Sequence, residues 1–190
     1  MNRFHRHLVP AAALALALTG TSVAVSSGAA DAGPATLQGA AAPYCGIHWG
    51  SLARTSTRMT TARLTDVRAG RHGCFDRLVL DLSGHDRRSG YTVRYVTHVR
   101  ADGSGQVVPV RGGARLSVTA NAPTTHAWSN PREVVDVTGF RTFRQVAWAG
   151  SFEGHSTLGV GVRARLPFRV FTLDGPGTGT RLVLDVAHRW

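Results

Sequence analysis

Between Tyr44 and Trp190 apolar side chains recur at every second position in short runs, and Gly, Pro, Asn or Asp separates one run from the next. That two-residue period places alternate side chains on opposite faces of an extended chain, so each run is expected to be a half-buried strand. In Arg77-Leu78-Val79-Leu80-Asp81-Leu82 the three leucines share a face; Tyr91, Val93, Tyr95, Thr97 and Val99 share another, which leaves Arg94, His98 and Arg100 toward water. Leu116, Val118 and Ala120 form a third set, and Val160, Val162, Ala164 and Leu166 alternate with Gly161, Arg163 and Arg165. Pro167 lacks an N–H and should mark a strand start before Phe168, Val170, Phe171 and Leu173. The last run, Arg181-Leu182-Val183-Leu184-Asp185, repeats the pentad Arg77-Leu78-Val79-Leu80-Asp81 and predicts two strands in equivalent surroundings, as in pseudo-symmetric halves of a sandwich.

The breaks have their own chemistry. Ala101-Asp102-Gly103-Ser104-Gly105 should close a hairpin because Asp-Gly tolerates positive φ, and Gly112-Gly113 should close a second. Gly84 to Gly90 is a polar turn, and Asn121 to Pro131, which carries Trp128, is the longest interruption and is expected to be loose. Helical spacing is nearly absent, with Ser51 to Met59 the one stretch that reads as a turn or two. The whole pattern predicts an all-β antiparallel β-sandwich with little helix.

The N-terminal end reads differently. Arg3 and Arg6 precede an apolar run from Leu8 to Leu18 and small residues ending Ala30-Asp31-Ala32, the layout of a secretory signal. Residues 1–32 are therefore expected to be a signal peptide and 33–43 (GPATLQGAAAP) a flexible leader, with the folded domain at 44–190. A membrane anchor would need roughly 20 apolar residues, so no transmembrane segment is expected, and the first cysteine, Cys45, lies too far along for lipid attachment. In an exported chain the pair Cys45 and Cys74 is most simply a disulfide; two thiolates with no CxxC or paired histidines nearby make a poor metal site.

Every cation is arginine, and beyond residue 32 the chain carries 20 Arg against 10 acids, a net +10 that favours anionic partners. Nucleic acid is not expected as a partner, because the arginines are spread along strands and an exported protein does not meet it.

Several of these pieces together resemble a known family. Cys74 to Leu82, Gly90 to Val96, Pro167 to Phe171 and Arg181 to Val186 are similar to the AMIN-like domain of secreted actinobacterial proteins, itself similar to the amidase N-terminal module. The resemblance spans roughly 44–190 and implies a β-sandwich that binds or localises to the cell wall. No amidase sequence follows the domain before Trp190, and the resemblance brings no catalytic or binding residues with it.

Catalytic patterns are sparse. There is no GxSxG elbow, and His155 and Ser156 are adjacent, so on a strand they point to opposite faces. The histidines at 48, 72, 85, 98, 126, 155 and 188 are isolated, so neither a metal nor a cofactor is expected. Glu153, the one acid in Trp148 to His155, is the best single carboxylate for an envelope hydrolase; its plainer reading is an ion pair with Arg163 or Arg165. A sugar platform would be built from Trp128, Trp148 and Tyr95 with Arg144, Glu153, His155 and Arg163 around them, while Trp49, Trp148 and Trp190 also suit a core. The expected function is thus a secreted, non-catalytic module binding peptidoglycan or another anionic wall glycan. A protein-recognition or inhibitor module presenting Asn121 to Pro131, and a hydrolase using Glu153, are the rivals.

Overall fold

The computed structural model describes residues 43–190 apart from 59, 85–88 and 176. The expected signal peptide, almost all of the leader and most of the Gly84–Gly90 turn lie outside the described residues. In chain order the strands are β1 (Arg54–Ser56), β2 (Arg63–Arg71), β3 (Phe75–Ser83), β4 (Tyr91–Val96), β5 (Val99–Arg100), β6 (Val107–Val108), β7 (Ala114–Ala120), β8 (Phe143–Phe152), β9 (His155–Val162), β10 (Phe168–Asp174) and β11 (Thr180–Ala187). They form a five-stranded sheet ordered β1-β4-β7-β9-β8, a four-stranded sheet ordered β10-β11-β3-β2, and a two-stranded ribbon of β5 and β6. All pairings are antiparallel, as the alternating pattern requires.

The two large sheets close over the predicted apolar faces. Leu78, Leu80, Leu182, Leu184 and Val186 of one meet Val93, Leu116, Val118, Leu158 and Val160 of the other, each 1% exposed or less. Burying one such leucine contributes about 1.5–3 kcal/mol, and truncating it to alanine inside a packed core costs about 2–5 kcal/mol.

The repeated pentads lie side by side. β3 and β11 are neighbours, with Arg77 opposite Asp185, Val79 opposite Val183, and Asp81 opposite Arg181. Run antiparallel, the pentad is complementary to itself: leucine meets leucine inside, and each arginine meets an aspartate outside. The equivalence is therefore local to one sheet and does not divide the sandwich into halves.

Three other expectations need correction. Arg54 to Ser56, inside the stretch read as helical, forms an edge strand on Tyr91 to Val93, where ladder hydrogen bonds outweigh weak local propensity; the only helical turn among the described residues is a short one at Tyr44–Gly46. The run Tyr91 to Val99 does not stay on one face. The chain bends at Thr97-His98, and Val99 joins Val110, Ala147 and Ala149 in a second cluster outside the five-stranded sheet. Gly112-Gly113 is not a hairpin turn, since β6 pairs with β5 whereas β7 pairs with β4 and β9.

The second cluster explains the glycines of β9. A Cβ on Gly159 would meet Val110 Cγ2 at 2.8 Å, and one on Gly161 would land on the Arg111 carbonyl oxygen. Glycine there lets the ribbon and its exit lie directly on the sheet.

Asn121 to Pro131 and the residues after it run along the β8 edge. Trp148 N donates to Pro131 O at 2.7 Å and Val134 N to Val146 O at 2.9 Å, covering an edge that would otherwise invite another strand. Gln145 ties this segment to the ribbon, accepting from Arg111 N at 2.6 Å and donating to Arg132 O at 2.8 Å. At the other end of the chain, Cys45 and Cys74 form the expected disulfide, with 29 residues of separation, which holds the Tyr44–Gly50 segment against the start of β3. Closing a loop of that length contributes roughly 3.5 kcal/mol by restricting the unfolded chain.

Candidate functional site

The seven residues proposed as a platform do not converge, and the Tyr95 hydroxyl is committed to Leu166 O at 2.6 Å. Trp128 and Trp148 do meet, with ring centroids 5.8 Å apart, and His126 covers Trp128 at 4.3 Å. Both indoles are half-buried against the core. Arg144, at the start of β8, spends its guanidinium on the Phe140, Arg141 and Phe143 carbonyls at 3.1, 3.3 and 2.8 Å. Arg163 follows the end of β9 and donates to His188 O. Glu153 and His155 sit at the opposite end of the β8–β9 pair, roughly 25 Å away by strand rise.

Glu153 is exposed at φ +47° and with Gly154 at φ +84° makes the two-residue turn between β8 and β9. Its expected partners are elsewhere: Arg165 donates to Ser51 O at 3.2 Å and stacks on Tyr95. Among the described residues Glu153 has no ion pair. The other indoles are not core residues. Trp190 is 70% exposed, and Trp49 lies outside the four-stranded sheet beside Phe75 and Arg169.

Two clusters with catalytic residue types are structural in their geometry. Asp76 Oδ2 accepts from Thr142 N at 2.6 Å and Phe143 N at 3.0 Å, while the Thr142 hydroxyl meets His188 Nδ1 at 2.9 Å. Asp76 and Thr142 are both fully buried, so the group latches one sheet to the other where no substrate can reach it. On the outside of the four-stranded sheet, Asp185 is buried beneath two arginines, with Arg77 bonding it at 2.7 and 2.9 Å and Arg169 at 2.8 Å. Phe75 and Phe171 flank both guanidiniums within 5.5 Å, and the hydrogen bonds to Asp185 hold Arg77 above its ordinary pKa. Asp81 is gripped in the same way by Arg68 at 2.6 and 2.8 Å.

The outside of the five-stranded sheet is different. There the ribbon folds over β9 and leaves a groove of about 720 Å³ between itself and β4–β7. Alternation dictates the floor: with Val93, Leu116, Val118 and Leu158 inward, Arg94, Ser117, Thr119 and Thr157 must face out. Arg94 pairs across from Ser117, and Thr119 from Thr157, whose hydroxyls are 2.8 Å apart.

The wall is the β5–β6 turn. Asp102 N donates to Ala149 O at 2.7 Å, seating the turn on Gly150, where a Cβ would approach Asp102 N to 3.3 Å. One oxygen of Asp102, Oδ2, is shut off from solvent without a hydrogen-bond partner. Burial pushes the Asp102 carboxyl above the ordinary carboxylate range, against the opposing pulls of the Thr157 hydroxyl and the His155 ring. Phe152, 52% exposed, lies against Gly103 at the rim next to its strand partner His155. Arg94 is exposed and makes no hydrogen bond or ion pair among the described residues.

The groove thus offers an unpaired guanidinium, a row of hydroxyls, one under-satisfied carboxyl and an apolar ring. Sequence reasoning placed Arg94 outward, but it read Asp102 only as a turn residue and overlooked the hydroxyl row. The signal for that row was present: the polar members of the runs around Val93, Val118 and Leu158 had to share one surface once those runs were neighbours. No group of three His, Cys, Asp or Glu side chains suited to a metal occurs among the described residues. No helix among them is long and apolar enough to cross a membrane.

No curated protein and no solved structure matches the chain. The AMIN-like domain, however, matches residues 62–188, from the residue before β2 to the histidine that latches the two sheets, and the chain belongs to the AMIN-like domain family.

Proposed function

We propose that this protein is a secreted, non-catalytic cell-envelope module that holds peptidoglycan or another anionic wall glycan in the groove over β4, β7 and β9. Membership of the AMIN-like family supports an envelope-associated binding role, and the Cys45–Cys74 disulfide supports an oxidising, extracytoplasmic setting. The observation that carries the reading is the groove itself, which is floored by Ser117 and Thr119 and leaves Arg94 facing outward with no partner among the described residues. Sugars are bound by such surfaces, hydroxyl to hydroxyl, with an aromatic ring against the apolar face. Net positive charge adds long-range attraction that weakens as salt rises. A two-carboxylate hydrolase needs its acids about 5–9.5 Å apart, and Asp102 is the single acid among the residues lining the groove.

Co-sedimentation of the full chain with purified peptidoglycan at low and high salt tests this. The expected result is binding at low salt, reduced at high salt, with the wall left intact. Absence from the pellet at low salt would favour a protein-recognition module. Release of soluble fragments, lost in Glu153→Gln, would favour the hydrolase.

A further inference from the structure

Asp102 is the acceptor in the groove that the fold leaves short of a donor. It lines the cavity, its backbone is fixed to Ala149, and its Oδ2 accepts no hydrogen bond. A buried acceptor without a donor is unfavourable, and the broad torsion about the Cβ–Cγ bond of an aspartate lets either oxygen turn toward an incoming group. What that position asks for is a donor: a hydroxyl or an amine.

Across the floor the demand is reversed. Thr157 on β9 and Arg94 on β4 are two strand spacings apart and two residues out of register, roughly 12 Å from backbone to backbone, with Ser117 and Thr119 of β7 between. Arg94 offers an exposed fork suited to a carboxylate. The rim supplies a flat apolar surface in Phe152. A ligand that satisfies all three has hydroxyl donors at one end, an anionic group at the other and a ring face between them.

Resting on the glycan reading above, we propose that Asp102 determines the specificity of the groove and selects a carboxylated pyranose, whose ring hydroxyls donate to Asp102 while its carboxylate is taken by Arg94. A flexible polyol phosphate also carries negative charge, but it has no ring face for Phe152. A neutral sugar would satisfy Asp102 and leave Arg94 unused.

Three soluble probes separate these cases: a glucuronic-acid oligosaccharide, the neutral glucose oligosaccharide of the same length, and polyglycerol phosphate. Each is titrated by calorimetry against the full chain, Asp102→Asn and Arg94→Gln, beside peptidoglycan sedimentation of the same three proteins. The expected order for the unaltered chain is uronate over neutral sugar over polyglycerol phosphate. Asp102→Asn should weaken both sugars about tenfold, the scale of losing a hydrogen bond to a charged group. Arg94→Gln should weaken the uronate about tenfold and bring it level with the neutral sugar. Arg94 is exposed and lies outside the β5–β6 turn, so its variant tests the proposal independently of any rearrangement around Asp102.

Unchanged sugar binding in Asp102→Asn, or polyglycerol phosphate binding as tightly as the uronate, would overturn the proposal. Wall binding that survives both substitutions undiminished would leave the envelope reading standing and remove this subsite. Sugar selectivity without wall binding would do the opposite, and failure of both would remove both.

Discussion

The two outer faces of the sandwich carry similar residue types and use them in opposite ways. On the four-stranded sheet the self-complementary pentads line up arginine with aspartate; Asp185 takes up Arg77 and Arg169 between flanking aromatic rings, and Asp81 takes up Arg68. On the five-stranded sheet Arg94 has no such partner among the described residues, and Asp102 is left with an unpaired oxygen even though the Thr157 hydroxyl lies against its carboxyl. A surface whose polar groups are mutually satisfied contributes to stability and offers little to a ligand. One whose groups are incompletely satisfied gains when a ligand completes them.

The contrast predicts that substitutions will separate stability from binding. The largest effect is expected from Asp185→Asn, which leaves two guanidiniums over a buried position without their counter-charge. Removing one partner of a buried pair costs about 3–5 kcal/mol; because these arginines are partly exposed, about 3 kcal/mol is expected, a fall in Tm of about 6–12 °C. Thermal unfolding reads it, and wall binding below the new Tm should be unchanged.

Next comes Gly161→Ala, whose methyl group meets the Arg111 carbonyl and forces the chain after the ribbon off β9. A loss of about 1–3 kcal/mol is expected, together with loss of wall binding in sedimentation, because the groove wall moves while the sandwich core does not. Retained binding would mean that the ribbon is not part of the site.

Arg94→Gln should reduce wall binding at low salt about tenfold and leave the unfolding free energy within about 0.5 kcal/mol of the parent, the usual range for an exposed side chain. The smallest effect is on stability in Asp102→Asn. The folded state holds the Asp102 proton more tightly than the unfolded chain does, so this carboxyl destabilises the fold progressively as pH rises through its elevated range. The asparagine variant should therefore melt about 1–3 °C higher at pH 7, and the difference should vanish below the ordinary carboxylate pKa near 4. A difference that persists at pH 3 would contradict the stated cause.

Much of this architecture was legible in the chain. Leu78, Leu80 and Leu82, or Leu116 and Val118, announce their shared faces because the strand period is a local property of the backbone. Asp102-Gly103 announces a turn because positive φ is likewise local. The disulfide followed from two cysteines in a chain that reads as exported. What eluded the sequence depended on pairing: Arg54 to Ser56 became a strand only because Tyr91 to Val93 offered an edge, and Val99 changed sides only because Gly159 and Gly161 opened a seat for the ribbon.

The candidate site shows the same division. Amino-acid order by itself determined that Arg94, Ser117, Thr119 and Thr157 would face outward, since each is one residue from a core side chain. Only the tertiary structure decided that they face outward together, that Asp102 hangs over them, and that Arg144 and Arg163 lie at the far end of β8 and β9. Which side of a strand a residue occupies is set by its immediate neighbours. Which strands adjoin is set by the packing of the whole core, and a binding surface requires both.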